Sequence, residues 1–447
     1  MFQTIINAWK IADLRKKIIY TAFVILLFRI GANIPVPFVD IGDAGLIDST
    51  ASTFLNYLSM MTGDAFNYGT IFAMSITPYI NSSIIMQLLA VAIPALEKLQ
   101  KEGEEGRKKI ASITRYVAVG LGLLQSTAYY IYIRNKGFLT KSDAGTSFTG
   151  FEAVFQAIVI ILCFTAGTAL IMWLGEQVNQ KGIGNGISII LFAGIVARIP
   201  TEAVMLFSPT NGYPARDERY FFLSILVVAI YLFMIAYIVW MDNAERRIPV
   251  QYAKRVVGRK MYGGQSTHMP IKVNMSGVMP IIFASSILSL PPTVQMFISE
   301  EKITGTFWEG FFKVFGTDHW VYGIIYFVMI ILFAYFYAAI QYNPVEMANN
   351  IRKNSGAIPG IRPGRPTSDY IGKILSRITL LGALLLSVVA LFPIIFTQLT
   401  TLALGEGKGM NISLGGTSII IMVGVALETV KQLESQMMMR HYKGFLD

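Results

Sequence analysis

HWVYGIIYFVMIILFAYFYAAIQ, residues 319–341, contains no Asp, Glu, Lys or Arg from end to end. Coiled as a helix, such a run is long enough to cross about 30 Å of hydrocarbon, which takes about 20 apolar residues. It lacks the alternation of a half-buried strand. Working outward, further stretches share its character: about 18–36, 70–94, 111–133, 153–174, 183–206, 220–241, 273–298, 374–398 and 415–433. The composition agrees. Of 447 residues, 54% are apolar and 14% charged, and the mean hydropathy is +0.54. Soluble proteins carry about 25% charge. The chain reads as an all-α membrane protein with ten transmembrane helices, and a soluble enzyme is excluded.

The net charge of +10 must sit outside the hydrocarbon, and its placement orients the chain. Lys10, Arg15, Lys16 and Lys17 precede the first stretch, whereas 37–69 has no Lys or Arg and carries Asp40, Asp43, Asp48 and Asp64. Lys98, Lys101, Arg107, Lys108 and Lys109 follow the second stretch. The sixth and seventh enclose Arg246, Arg247, Lys254, Arg255, Arg259, Lys260 and Lys272. The eighth and ninth enclose Arg352, Lys353, Arg362, Arg365 and Lys373. Basic loops stay on the cytoplasmic side, so both termini are expected there. The external loop near 134–141, with Arg134, Lys136 and Lys141, fits this rule least well. No small-residue cleavage site follows 18–36, which is expected to be a retained span and not a signal peptide.

Ten spans divide into two halves of five, and an odd count per half forces opposite orientations in the membrane. The expected units are 1–206, a Pro- and Gly-containing external hinge at 207–219 (FSPTNGYPARDER), and 220–447. The halves share no obvious sequence identity.

Chemistry is scarce. Cys163 is the single cysteine, and His268, His319 and His441 have no ligand spacing, so neither a metal nor a cofactor is expected. GIGNG at 182–186 follows no strand and lacks the lysine of a phosphate loop. Arg29 and Glu428 stand out as ionisable residues inside spans. That shortage counts against an ion-coupled transporter, which needs buried carboxylates or histidines. A membrane-embedded enzyme or lipid scramblase would need convergent polar groups, and no nucleophile–base pair is present. Any uphill transport would draw its energy from a partner.

Other features carry more information. TFLNYLSMMTGDAFNYG, 53–69, is amphipathic and too short to span; it suits either an interfacial helix or a short helix folded into a cavity. The stretch 70–94 contains Pro78, expected to break its helical ladder, beside Asn81, Ser82, Ser83 and Gln87. The stretch 273–298 contains Pro280, Ser285, Ser286 and Ser289, and 111–133 adds Gln125. Such polar residues suit ordinary helix packing or a functional seam. The basic loops 242–272 and 342–373 suit an acidic partner, an RNA backbone or lipid headgroups.

Several motifs in order carry a family resemblance: PYINSSIIMQLL at 78–89, KEGEEGRKKI at 101–110, GIGNGISIILFAGIV at 182–196, ERRIPVQYAKR at 245–255 and KVNMSGVMPIIFASSI at 272–287. NPVEMANNIRKNSGAIPGIRPG at 343–364 and GGTSIII at 415–421 complete the set. Over essentially its whole length the chain resembles the SecY family, the main subunit of the bacterial protein-conducting translocation channel.

The resemblance implies two inverted five-helix halves around an hourglass pore in the plasma membrane. It implies a plug at 53–66, with Phe54, Leu55, Tyr57, Leu58, Met60 and Met61. Its pore ring maps to Ile80, Ile84, Leu191, Ile195, Ile282 and Ile421, with Leu191 standing where isoleucine is frequent. A lateral gate would include Gln87, Gln125, Ser286 and Leu290. Arg246, Arg247, Arg255 and above all Arg362 would dock the SecA ATPase or the ribosome. The implied partners are also SecE and SecG, signal sequences, unfolded polypeptides and membrane lipids. Independently of the resemblance, Ile80 with Ile84 and Leu191 with Ile195 are spaced i, i+4, which places each pair on one helix face.

Overall fold

The computed structural model describes residues 2–41, 45–46, 59, 61–140, 150–208, 219–252, 255–257, 260–262, 266–295, 307–316, 319–404 and 415–443. Helices dominate it. In chain order they are α1 (Phe2–Lys10), α2 (Ala12–Gly31), α3 (Thr77–Ala92), α4 (Pro94–Lys101), α5 (Glu104–Lys136), α6 (Phe151–Lys181), α7 (Gly186–Phe207) and α8 (Arg219–Asn243). There follow α9 (Met279–Leu288), α10 (Leu290–Gln295), α11 (Phe307–Val314), α12 (Trp320–Gln341), α13 (Pro344–Lys353), α14 (Arg365–Leu404) and α15 (Gly416–Lys443). Among the described residues, six helices are long and apolar enough to cross a membrane: α6, α7, α8, α12, α14 and α15.

The remaining predicted stretches are helical but shorter or more polar. The stretch 70–94 is not one span-long helix. Residues 62–69 and 71–76 run as turns, α3 begins at Thr77, and the chain bends by 106° between Thr77–Ala92 and Pro94–Gln100. Pro78 does not break a ladder, because it lies in the first turn of α3. An N–H there would have no intrahelical acceptor, so proline costs nothing. Pro280 begins α9 in the same way.

Matched details recur around these two prolines. Ser75 (φ 48°) and Gly277 (φ 61°) hold left-handed backbone three residues ahead of each. The helix-capping residues Ile76 (φ −94°, ψ 1°) and Val278 (φ −87°, ψ −13°) also agree. A Cβ on Gly167 of α6 would collide with the carbonyl of Ile71, and one on Gly382 of α14 with that of Val273; each carbonyl lies seven residues before its proline. Gly186 opens α7 against the carbonyl of Gly175, and Gly416 opens α15 against that of Val389.

The basic loops hold the structure's strands. β1 (Glu245–Tyr252) pairs antiparallel with β4 (Ser266–Lys272), from Glu245 opposite Lys272 to Gln251 opposite Ser266. β2 (Arg255–Val257) and β3 (Lys260–Tyr262) form a second hairpin between them. β5 (Gly356–Ala357), from the other basic loop, adds to the free edge of β1. The all-α expectation therefore holds for the apolar stretches and misses this sheet. Ile248, Val250 and Ile271 turn inward onto Ala348, Ile351, Ile371 and Leu375, the period of two that strands require.

The apolar core falls into neighbouring clusters. One is built from α8, α9, α12, α14 and α15, and takes in Ile84 of α3. Another is built from α2, α6, α7 and the turns before α3, and takes in Ile421 and Val425 of α15. The exchange of residues through α3 and α15 places the seam between the clusters.

Candidate functional site

At that seam Leu191 and Ile195 of α7 meet Ile421 of α15, with Ile80 of α3 and Ile282 of α9 packed at the edge of the cluster. Ile84 lies in the adjoining cluster, which also touches Ile80 and Ile282. Ile84, Leu191, Ile195 and Ile421 are buried, so they do not face lipid. The six residues proposed for the ring thus occupy one neighbourhood, reached from four helices. Val425 was not among the sequence candidates, yet it is buried in the same cluster. It follows Ile421 by four positions, as Ile195 follows Leu191, and each pair stands equally far into a helix that opens on a buried glycine. That spacing was the available signal.

Beside the ring, α3, α5 and the turn joining α9 to α10 border a small cavity. Its polar lining comes from Thr62, Thr77, Asn81, Gln125, Ser289 and Thr293. The Oγ1 of Thr77 and the Oδ1 of Asn81 are buried there without a hydrogen-bond partner. Ser289 turns its hydroxyl back to the carbonyl of Ser286 (2.6 Å), and Thr293 donates to the carbonyl of Ser289 (2.7 Å). Of the gate candidates, Gln125 lines the cavity. Gln87 and Ser286 are half-buried outside it, and Leu290 is exposed. The polar face of α3 divides in function: Ser82 donates to the carbonyl of Thr114 (2.6 Å) and ties α3 to α5, while Asn81 faces the cavity. Helix α3 packs extensively on α5, and α9 on α12, but α3 touches α9 only lightly, as α5 does α10.

Phe54, Leu55, Tyr57, Leu58 and Met60 lie outside the described residues. The described end of this segment is buried: Met61 packs in the ring cluster, and Thr62, Ala65 and Phe66 are also inside. An interfacial helix would leave them exposed; instead they are buried, and 62–66 run as turns and not as a helix. The hydroxyl of Tyr129 donates to the carbonyl of Phe66, and their rings lie 4.5 Å apart. Arg29 donates from Nη1 to the carbonyl of Gly63 (3.1 Å). The sequence reading singles out Arg29 and Glu428 within spans, but Arg198 and Glu202 also fall inside the predicted stretch 183–206. Both lie on α7 and pair with each other, Nη2 to Oε1, at 3.4 Å.

Arg246 and Arg247 are exposed on β1, whose Ile248 and Val250 anchor the strand. Arg255 lies in β2. Arg362 is exposed between β5 and α14, its carbonyl accepting from Thr367 Oγ1 (2.9 Å). Pairing of β5 with β1 joins the two basic loops into one surface.

A family model described as SecY matches residues 70–430. The protein translocase subunit SecY of Mycobacterium tuberculosis (strain ATCC 25618 / H37Rv) is 41% identical over the full length of both chains. That of Streptomyces griseus is 43% identical, again over both full lengths. Among solved structures, a SecY channel whose plug domain stabilises the closed state and maintains a membrane seal covers 94% of this chain and 92% of its own. Its TM-score is 0.59 at 17% identity. Canine Sec61, solved in a ribosome–channel complex from the endoplasmic reticulum, covers the same shares with a TM-score of 0.57 at 15% identity. These two likenesses are likenesses of fold.

Proposed function

The chain belongs to the SecY family, and from that premise we propose how its parts divide the work of moving a polypeptide. It is a SecY subunit of the protein translocase, a protein-conducting channel of the membrane. Ten spans form two inverted halves, 1–206 and 220–447, joined at 207–219 around an hourglass pore. The matched surroundings of Pro78 and Pro280, Gly167 and Gly382, and Gly186 and Gly416 support the repeat.

One observation carries the pore assignment: aliphatic side chains from both halves, Leu191, Ile195, Ile282 and Ile421, meet in one cluster with Met61 packed against them. A narrow apolar constriction sheds water and stops ions. Its side chains offer no fixed hydrogen bonds, so they yield to any extended chain without holding it. The segment 53–66 plugs the external side. The cavity of Gln125, Asn81 and Ser289 marks the lateral gate, through which an apolar signal sequence or membrane segment gains by leaving water for lipid. A seam of weak polar contacts, about 0.6 kcal/mol each in membranes, opens at small cost.

The basic surface of Arg246, Arg247, Arg255 and Arg362 faces the cytoplasm and docks SecA or the ribosome, since arginine forks suit carboxylate and phosphate. The partner supplies the energy, and the chain itself does no catalysis. SecE braces the halves, SecG accompanies it, and both termini lie on the cytoplasmic side of the plasma membrane.

The test places a photo-crosslinker at position 80, 84, 282 or 421 and stalls a secretory chain in transit. Adducts should form at these positions and not at Leu162, which is 56% exposed on α6. Equal labelling at Leu162 would remove the pore from this seam.

A further inference from the structure

We infer that Arg198 is a positioning residue of the channel's closed state: a charged latch on α7 that seats the plug against the ring. The inference rests on reading 53–66 as the plug. Arg198 follows Ile195 of the ring by three positions, so one face of α7 carries both. Its Nε lies 3.4 Å from Asp64 Oδ2, a contact of charge alone since that nitrogen makes no hydrogen bond, and its Nη2 lies 3.4 Å from Glu202 Oε1. Its Nη1 donates to Ser59 Oγ (3.4 Å), and Ser59 in turn donates to Asp64 Oδ1 (2.9 Å). The side chains of Arg198, Asp64 and Glu202 are only 12%, 21% and 11% exposed, so water screens them little.

The backbone below this network is in direct contact. A Cβ on Gly194 would stand 2.8 Å from the carbonyl oxygen of Met61, and one on Gly63 (φ 64°) 3.1 Å from the carbonyl oxygen of Gly194. Two glycines therefore let residues 61–63 lie directly against α7. Arg29 of α2 grips the carbonyl of Gly63. The segment is thus held by side chains of two helices and by backbone contact with one of them, next to the ring.

A charged latch has a property that a greasy contact lacks. Burying an ion pair costs nearly as much desolvation as its attraction returns, so its net worth is modest, but breaking it without water leaves a stranded charge. While the pore is dry the pair resists opening. Once a polypeptide brings water in, both charges rehydrate and the latch releases. Glu202, four positions along the same helix, keeps a partner beside Arg198 when Asp64 departs with the plug. The guanidinium then waits, oriented, for the plug to return.

The experiment measures resting ion leak from vesicles holding the full-length chain with its partner subunits. Arg198→Gln and Asp64→Asn should each raise the leak by about tenfold, the ratio that about 1.4 kcal/mol of lost closed-state stabilisation gives. The double variant should leak no more than the worse single one, because both remove the same contact. Arg198→Lys, which keeps the charge, should restore most of the seal. Asp64→Asn leaves α7 untouched and carries the test if Arg198→Gln fails to insert. Deletion of 59–66 separates the two levels of the argument. If the deletion leaks while Arg198→Gln and Asp64→Asn stay tight, the plug stands and the latch falls. If the deletion stays tight, the plug reading falls and the latch with it.

Discussion

Pro78 and Pro280, 202 residues apart in the chain, begin helices in the same manner. Each stands three residues after a left-handed residue, Ser75 or Gly277, and two residues before an isoleucine, Ile80 or Ile282, of the same apolar cluster. The likeness of these two segments lies in backbone geometry more than in side-chain identity.

The left-handed residue gives the first prediction. A Cβ on Gly277 would meet nothing within 4 Å, so any cost of substitution is backbone strain alone. Gly277→Ala should destabilise by about 1 kcal/mol and Gly277→Val by about 2, since φ is positive there. Gly120→Ala, also with open space around it but inside α5, should stabilise by up to about 1 kcal/mol through helix propensity. Thermal unfolding in detergent would show the opposite signs, and equal effects would discard the argument.

Close approach gives the second. Gly167→Ala and Gly382→Ala must push a helix away from the carbonyls of Ile71 and Val273. Each should cost about 1–3 kcal/mol, the usual scale of overpacking. Gly323→Ala, whose nearest atom is a Leu391 methyl at 3.8 Å, should be nearly neutral. A neutral Gly167→Ala would mean that α6 does not rest on the turns before α3.

The proposed ring makes a paired claim about stability and seal. Ile421 is 2% exposed, so Ile421→Ala should cost about 2–5 kcal/mol. Ile421→Asn and Val425→Asn should each also admit water and raise anion efflux from loaded vesicles, because a polar group at the constriction opposes dewetting. Efflux unchanged in both would move the barrier elsewhere.

At the cavity proposed as the gate, Thr77 Oγ1 and Asn81 Oδ1 are buried and unpaired. Thr77→Val and Asn81→Leu remove that penalty, about 1–3 kcal/mol per group. Both should favour the closed seam and slow export of precursors with weak signal sequences more than of those with strong ones. Faster export of the weak class would reverse the assignment.

For the exposed Arg362, charge reversal should be felt by a partner and not by the fold. Arg362→Glu should insert and unfold like the parent yet lose transport driven by SecA in reconstituted vesicles, since a fork that matches carboxylates becomes one that repels them. Transport at the parental rate would exclude this residue from docking.

Part of this neighbourhood is legible in the sequence. The i, i+4 spacing of Ile80 with Ile84 and of Leu191 with Ile195 states which side chains share a helix face. It does not state whether that face meets lipid, a packed core or a pore, because all three select aliphatic residues. Pro78 was legible as a break in helical bonding but not as the start of a helix. Which one a proline does depends on whether the preceding chain can be satisfied as turns, and here Thr70, bridged to Pro35, and Ile71, bonded to Ile34, make that possible. The sheet of β1, β4 and β5 was hidden because β1 and β4 lie in a loop dominated by its basic residues, and β5 has only two residues, which acquire an identity by pairing with β1.

By itself the amino-acid order determined that this chain lives in a membrane, which loops are basic and where most of the helices lie. Those follow from local hydropathy, charge and hydrogen-bonding capacity, each a property of neighbours in the chain. Tertiary structure alone decided that Met61 packs in one cluster with Leu191, Ile195 and Ile421, that Arg198 reaches Asp64, and that Gln125 and Asn81 line one cavity. Such contacts join residues distant in sequence, and their energies exist only once helices have packed closely enough for two glycines, Gly63 and Gly194, to bring backbones together.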